Sequence, residues 1–248
     1  MCCLKPVLHI LPIFLVIWSC AGFIITFIIA VERRDVDPFI PFISDTGTTP
    51  PESCVFGLMI NISSFLGAIT IYIRYKILQT INKANPLVKS RLNCVAFLSG
   101  LLACLGMCIV ANFQETALRA VHDIGALLAF GMGTVYLIFQ AVISFKMLPL
   151  CNDRWAFGFR VFIAAVSVVV FVPMIACYFV SGESKLKWDP MDRGYGNHVT
   201  SALCEWIVAF CFNFFFLTYI KEFQKFTLRI KTELHPDFQN DVLTPILS

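Results

Sequence analysis

Six stretches of this chain are each long and apolar enough to cross a lipid bilayer. They cover approximately residues 7–31, 55–73, 92–111, 120–145, 161–180 and 199–220. A crossing takes about 20 consecutive apolar residues, and within lipid only a helix or a closed barrel satisfies its own backbone. The expected fold is therefore all-α, a polytopic six-transmembrane-helix bundle. Composition agrees: 58% of the 248 residues are hydrophobic and 14% are charged, where soluble domains are about 25% charged. So much apolar surface has to face lipid, which removes most soluble-enzyme classes. The first run ends in Val31-Glu32-Arg33-Arg34 without a small-residue cleavage pattern and reads as a retained helix, not a signal peptide.

An even number of crossings leaves both termini on one side. With the termini in the cytosol, thirteen Lys and Arg lie on that side and six on the other. The positive-inside rule then assigns both ends to the cytosol. Residues 1–235 form one transmembrane domain and residues 236–248 a flexible cytosolic tail. The extra-cytosolic parts are loop 32–54, a tight turn near 112–119, and loop 181–198. The eleven Cys do not form a disulfide framework. Most fall in apolar runs and act as small hydrophobes. Cys2 and Cys3 flank the first run as candidate palmitoylation sites. No metal spacing exists, so no metal or cofactor is expected.

Loop 32–54 contains Asp45-Thr46-Gly47-Thr48, the tetrapeptide of pepsin-like proteases. Such a site needs two copies on β-strands, and this chain has one copy between helices. A turn is the better reading. Thr and Asp side chains bond nearby backbone, Gly47 supplies positive φ, and Pro50-Pro51 stiffen the exit. Asp45, Thr46, Gly47, Pro50 and Pro51 are thus expected to form a rigid lid leading into the second helix.

Polar groups in lipid are expensive and therefore informative. Glu205 lies about two turns into the last run, and His198 is seven residues earlier on the same face. His122-Asp123 opens the fourth run, and Asn112 with Gln114 lies in the turn before it. Three readings apply to His122, Asp123, His198, Glu205 and Asn112. They are interhelical glue, with Asp123 capping helix four; a ligand or proton-sensitive site in which His⁺ meets Glu205 or Asp123; and catalysis. Ser44, Ser53 and Ser201 lack an activating context, and no enzyme activity is expected. Asn61 fits the glycosylation sequon inside helix two, where a helix–helix hydrogen bond is its expected role. Small residues cluster at Ser63, Ser64, Gly67 and Ala68, at Ser99, Gly100 and Gly106, and at Gly125, Ala129 and Gly133. These point to close helix packing, with homo-oligomer formation as the alternative. Pro173 is expected to kink helix five.

On the cytosolic side, Lys221, Lys225 and Arg229 recur every four residues. Phe223, Phe226 and Ile230 form an apolar stripe beside them. The segment reads as helix six continuing out of the bilayer, with its basic side on anionic headgroups, and Arg74–Arg91 adds further cations. Simple positive-inside anchoring is the alternative. Membrane lipids and protein partners are expected; nucleic acid is not, because the basic residues hug the membrane. Tyr75-Lys76-Ile77-Leu78 fits a YxxØ sorting pattern.

The segments PFIPFISDTGTTPPESCVFGLMINISSFLGA, IYIRYK, IVANFQE, VHDIGALLAFGMG, CEWIVAF and FFLTYIKEFQKFTLRI resemble the damage-regulated autophagy modulators across about residues 7–231. This resemblance implies a multipass protein of lysosomal and related membranes that promotes autophagy and, through it, cell death. It brings no catalytic residues. The wider family includes a lipid-remodelling factor, so a lipid-handling role is the alternative to a non-enzymatic scaffold or sensor. A transporter is disfavoured by the lack of an inverted repeat.

Overall fold

The computed structural model describes residues 8–148, 153–182 and 185–227. Six helices carry the apolar runs: α1 (Ile10–Glu32), α2 (Glu52–Ala84), α3 (Ser90–Asn112), α4 (Arg119–Met147), α5 (Arg154–Ser181) and α6 (Tyr195–Leu217). No strand occurs among the described residues. The six-span reading therefore holds, but the helices overrun the apolar runs. The second extends eleven residues beyond 73, to Ala84, and the fifth starts at Arg154. Helical hydrogen bonding continues through polar flanks that hydropathy alone trims away.

Each helix turns part of its surface outward. Ile17, Phe65 and Val169 stay largely exposed along the outer faces, as expected where lipid is the solvent. Inward faces carry small residues. A Cβ on Gly106 would lie 2.4 Å from the Ala129 nitrogen, and one on Gly125 would lie 2.6 Å from Ile109. Glycine here lets α3 and α4 touch backbone to backbone, the packing role expected of these clusters. Around this contact α4 is wound as a π-helix over Leu127–Met132. The helix of α5 passes through Pro173 without interruption.

Asn61 and Asn112 exchange amide hydrogen bonds at 3.0 and 3.2 Å between α2 and α3. The expected helix–helix role of Asn61 is met. Asn112 is the last residue of α3 and does not lie in the following turn. The first and last helices also meet, with Ser19 donating to Asn213 Oδ1 at 2.7 Å.

Two cytosolic expectations fail. α6 ends at Leu217, Thr218-Tyr219 break the helix, and only a short turn, α7 (Ile220–Phe223), follows. The basic stripe is therefore not one continuous helix. Phe223 is fully buried and Phe226 packs on the same core, because two more aromatic side chains gain more from the bundle end than from water. Lys221 and Lys225 are exposed, and Arg229 lies outside the described residues, as do Cys2, Cys3 and residues 236–248. Tyr75-Lys76-Ile77-Leu78 is helical, with Ile77 and Leu78 buried. The extended form that an adaptor would grip is therefore taken up in packing.

Candidate functional site

The segment Pro41–Thr48 does not sit above the bundle. It is inserted into one end of it, with Phe42, Ile43, Asp45, Thr46 and Gly47 buried. Three tethers hold it. The Ile43 N–H donates to Glu205 Oε2 at 2.8 Å. Trp206 Nε1 donates to the Pro41 carbonyl at 2.9 Å. The hydroxyls of Thr46 and Thr26 on α1 lie 3.1 Å apart. Thr46 and Thr48 also donate to the carbonyls of Ile43 and Asp45, at 2.7 and 2.6 Å, which is the turn chemistry expected of them. Asp45–Gly47 is one 3₁₀ turn. Gly47 serves a different purpose from the expected one. Positive φ occurs at Arg34, Ile40, Gly182 and Gly194, not at Gly47. A Cβ on Gly47 would fall 2.2 Å from the Phe56 ring, so glycine is required for space. Pro50 and Pro51 are exposed and lead into α2.

Beneath the lid three carboxyl groups approach one another. Ser44 Oγ donates to Glu115 Oε2 at 3.3 Å. Asp45 is buried, with Oδ2 lacking a hydrogen-bond partner. Burial, with Glu115 and Glu205 nearby, pushes the Asp45 carboxyl well above the usual carboxylate range.

The histidines do not join this group as expected. His122 Nδ1 is 2.7 Å from the Phe113 carbonyl. A carbonyl only accepts, so Nδ1 carries the proton and the ring ties α4 to the end of α3. His198 is stacked on Trp188 with centroids 4.5 Å apart and is met edge-on by Phe42 at 5.0 Å. Sharing a helix face with Glu205 two turns away does not bring the side chains together; aromatic loop residues intervene. Asp123 does not cap α4, whose N-cap is Leu118 without a side-chain bond. It accepts from the Tyr178 hydroxyl at 2.7 Å and lies 3.8 Å from Arg119. Arg119 Nε in turn donates to the Tyr178 hydroxyl at 3.3 Å. Asn112 is committed to Asn61. The direct contacts of the five expected residues are thus separate, with Glu205 as the anchor of the lid, but His122, Asp123 and Glu205 border one cavity. Ser201 donates to the Met174 carbonyl, which leaves it no activating base.

Two cavities open from Glu205. One, about 130 Å³, runs down the bundle axis between Phe23, Ile60, Phe130 and Tyr136 and is almost wholly apolar. The other, about 290 Å³, lies between the lid-end halves of α4 and α5 and is walled by Glu115, His122, Asp123, Tyr178 and Glu205. Ser44, His122, Ala126, Phe130 and Glu205 border both.

At the opposite end lies a cluster that the reading of the sequence missed. Arg74 and Arg160, both assigned to the cytosolic flanks, are fully buried. Glu222 forms ion pairs with both: with Arg74, and with Arg160 at 2.7 Å. Arg74 also donates to Gln140 at 3.1 Å. Arg160 donates to Ser144 at 2.8 Å, to Thr218 Oγ1 at 2.8 Å and to the Thr218 carbonyl at 3.0 Å. The Tyr219 ring faces both guanidinium groups, at 5.1 and 4.9 Å, and its hydroxyl is 2.9 Å from that of Tyr136. The cluster fastens α2, α4, α5 and α7 together. Arg74 and Arg160 are thus locks of the bundle, and Arg74 is not the headgroup contact expected of the Arg74–Arg91 stretch.

Residues 7–226 match the family model Frag1/DRAM/Sfk1/Cwh43P N-terminal domain. The chain is 50% identical to DNA damage-regulated autophagy modulator protein 1 of Mus musculus over 96% of its own length and 100% of the relative's. It is 43% identical to DNA damage-regulated autophagy modulator protein 2 of Rattus norvegicus, over 92% of this chain and 88% of that one. It is 34% identical to the human Modulator of macroautophagy TMEM150B, over 82% and 79%. No solved structure matches.

Proposed function

Because the chain belongs to the Frag1/DRAM/Sfk1/Cwh43P family, we propose that it promotes autophagy, and through it cell death, from the lysosomal membrane. It acts there as a non-enzymatic scaffold or sensor. The observation that carries this reading is the 50% identity, over 96% of the chain, to a protein named as an autophagy modulator. The geometry supports a sensing device. The lid is held to Glu205 by one backbone N–H, and a buried carboxyl, Asp45, sits inside the lid itself. Exposed Lys221 and Lys225 are available to partners or anionic headgroups on the other side.

Depletion of the protein should lower autophagic flux, measured as lysosomal turnover of a lipidated autophagosome marker. Re-expression should restore it. Glu205→Gln keeps an oxygen for the Ile43 N–H and removes the ionisable carboxyl; it should restore flux poorly while reaching the same membrane at normal abundance. Unchanged flux on depletion would end the autophagy reading. Full rescue by Glu205→Gln would end the sensor reading.

A second reading, a lipid-handling protein, is favoured by one observation: the cavity between α4 and α5 opens sideways among exposed Ile124, Leu127 and Phe179, where lipid and not water is the neighbour.

A further inference from the structure

The sideways cavity has chemistry at its wall that its apolar entrance does not explain. Glu115 and Glu205 are both more than nine-tenths buried, and Asp123 stands beside them. No Lys or Arg lines the cavity among the described residues. The nearby bases already have partners: Arg119 faces Tyr178 and Asp123 and lies near Glu115, and His122 Nδ1 donates to the Phe113 carbonyl. Glu205 uses Oε2 for the lid, its other carboxyl oxygen carries no hydrogen bond among the described residues, and the side chain borders both cavities. Acidic groups therefore outnumber the basic ones here. The aromatic rings of Phe42 and Tyr178 on the wall suit a cation as well.

A soluble cation has no reason to enter through Ile124, Leu127 and Phe179. An amphiphile does. Its charged end would reach the carboxylates, while its hydrocarbon would lie against Phe130 and in the apolar axial cavity that shares that wall. We infer that the cavity between α4 and α5 binds the primary-ammonium headgroup of a membrane amphiphile, entering sideways from the leaflet on the lid side. This rests on the lipid-handling reading. A primary ammonium offers three N–H donors to carboxylates; a quaternary one offers none, and an anionic headgroup would meet repulsion. Two membrane sources share this chemistry, a single-chain long-chain amine and a diacyl lipid with an ethanolamine headgroup.

The test uses the full-length protein in detergent with diazirine-bearing probes of four kinds: sphingosine, phosphatidylethanolamine, N-acetylated sphingosine and phosphatidylglycerol. Crosslinked peptides should map to the lid-end halves of α4 and α5. Labelling by sphingosine alone, or by phosphatidylethanolamine as well, identifies the source, and either supports the inference. The N-acetylated analogue, which has lost the charge, should compete at least about tenfold more weakly. Glu115→Gln with Glu205→Gln should weaken ammonium binding to a similar degree. Should that pair fail to fold, Ala126→Phe, which fills a wall shared by both cavities without touching a charge, should abolish labelling. Equal competition by the N-acetylated analogue, or labelling of the cavity by phosphatidylglycerol, overturns the ammonium assignment and leaves lipid handling standing. No labelling of the cavity by any of the four overturns both.

Discussion

Among the described residues Glu222 is the one anion paired with the two fully buried guanidinium groups of Arg74 and Arg160, so Glu222→Gln is the most telling perturbation of the bundle. The variant keeps size and one carbonyl oxygen but leaves Arg74 and Arg160 with no counter-charge. Removing one partner of a buried ion pair costs about 3–5 kcal/mol, because the other charge is stranded. At about 2–4 °C per kcal/mol for a chain of this size, the midpoint should fall by roughly 6–20 °C. Arg160→Met is the control. It loses the bonds to Ser144 and Thr218 but leaves Arg74 paired with Glu222, so it should cost less than Glu222→Gln. The double variant leaves only Arg74 unpaired. It should be less damaged than the two single losses added together, since the second change removes a charge that the first had stranded. The assay is already present in the chain: Cys104, Cys204 and Cys211 are free and buried, so a thiol-reactive fluorophore reports thermal opening in nanodiscs as labelling above that of exposed Cys54. A shift of under about 3 °C for Glu222→Gln, or a larger one for Arg160→Met, would refute the reasoning.

Gly47→Ala should destabilise the fold by about 1–3 kcal/mol, since its methyl enters the Phe56 ring; thermal midpoints in nanodiscs measure this. The Asp45 carboxyl binds its proton more tightly in the folded protein than in the unfolded chain, where carboxylates titrate near about 3.9. The folded state then holds the extra proton as pH rises above that value, and its stability should fall until the folded group ionises. Asp45→Asn should flatten this part of the stability curve and raise the midpoint at neutral pH, with the difference from wild type vanishing in acid. Trp206→Phe removes the donor to the Pro41 carbonyl and should cost about 1 kcal/mol; amide exchange across residues 41–48 should quicken while that in α2 stays the same.

The architecture was legible because lipid imposes a length and a composition on every crossing. Helix contacts at Gly106, Gly125 and Asn61 were legible for a related reason: small or amide side chains inside an apolar run have few other uses. The buried Arg74–Glu222–Arg160 cluster was not. Each member sits just beyond the end of an apolar run, where charge is ordinarily read as anchoring, and nothing local pairs residue 74 with residue 222. One hint existed: Glu222 is the lone acid in the basic stretch 221–231 and is followed by an apolar Phe. The lid was read correctly as a turn, but its depth was hidden. Asp45-Thr46-Gly47 has the composition of an exposed loop, and its burial depends on a glutamate 160 positions further along. The histidines misled because helical periodicity fixes direction but not what lies between.

The contacts that join the two ends of the chain constrain how the protein is made. Ser19 waits for Asn213, Pro41 for Trp206, Ile43 for Glu205 and Arg74 for Glu222. Every one of these partners emerges from the ribosome last. Until the final helix is inserted, the nascent protein is an open ring of five, with two stranded guanidinium groups, Arg74 and Arg160, at one rim and an undocked loop at the other. Completion is a single closing event, and a chain shortened anywhere before residue 222 would carry both defects or the first alone into the membrane, where surveillance machinery would meet an unmatched charge.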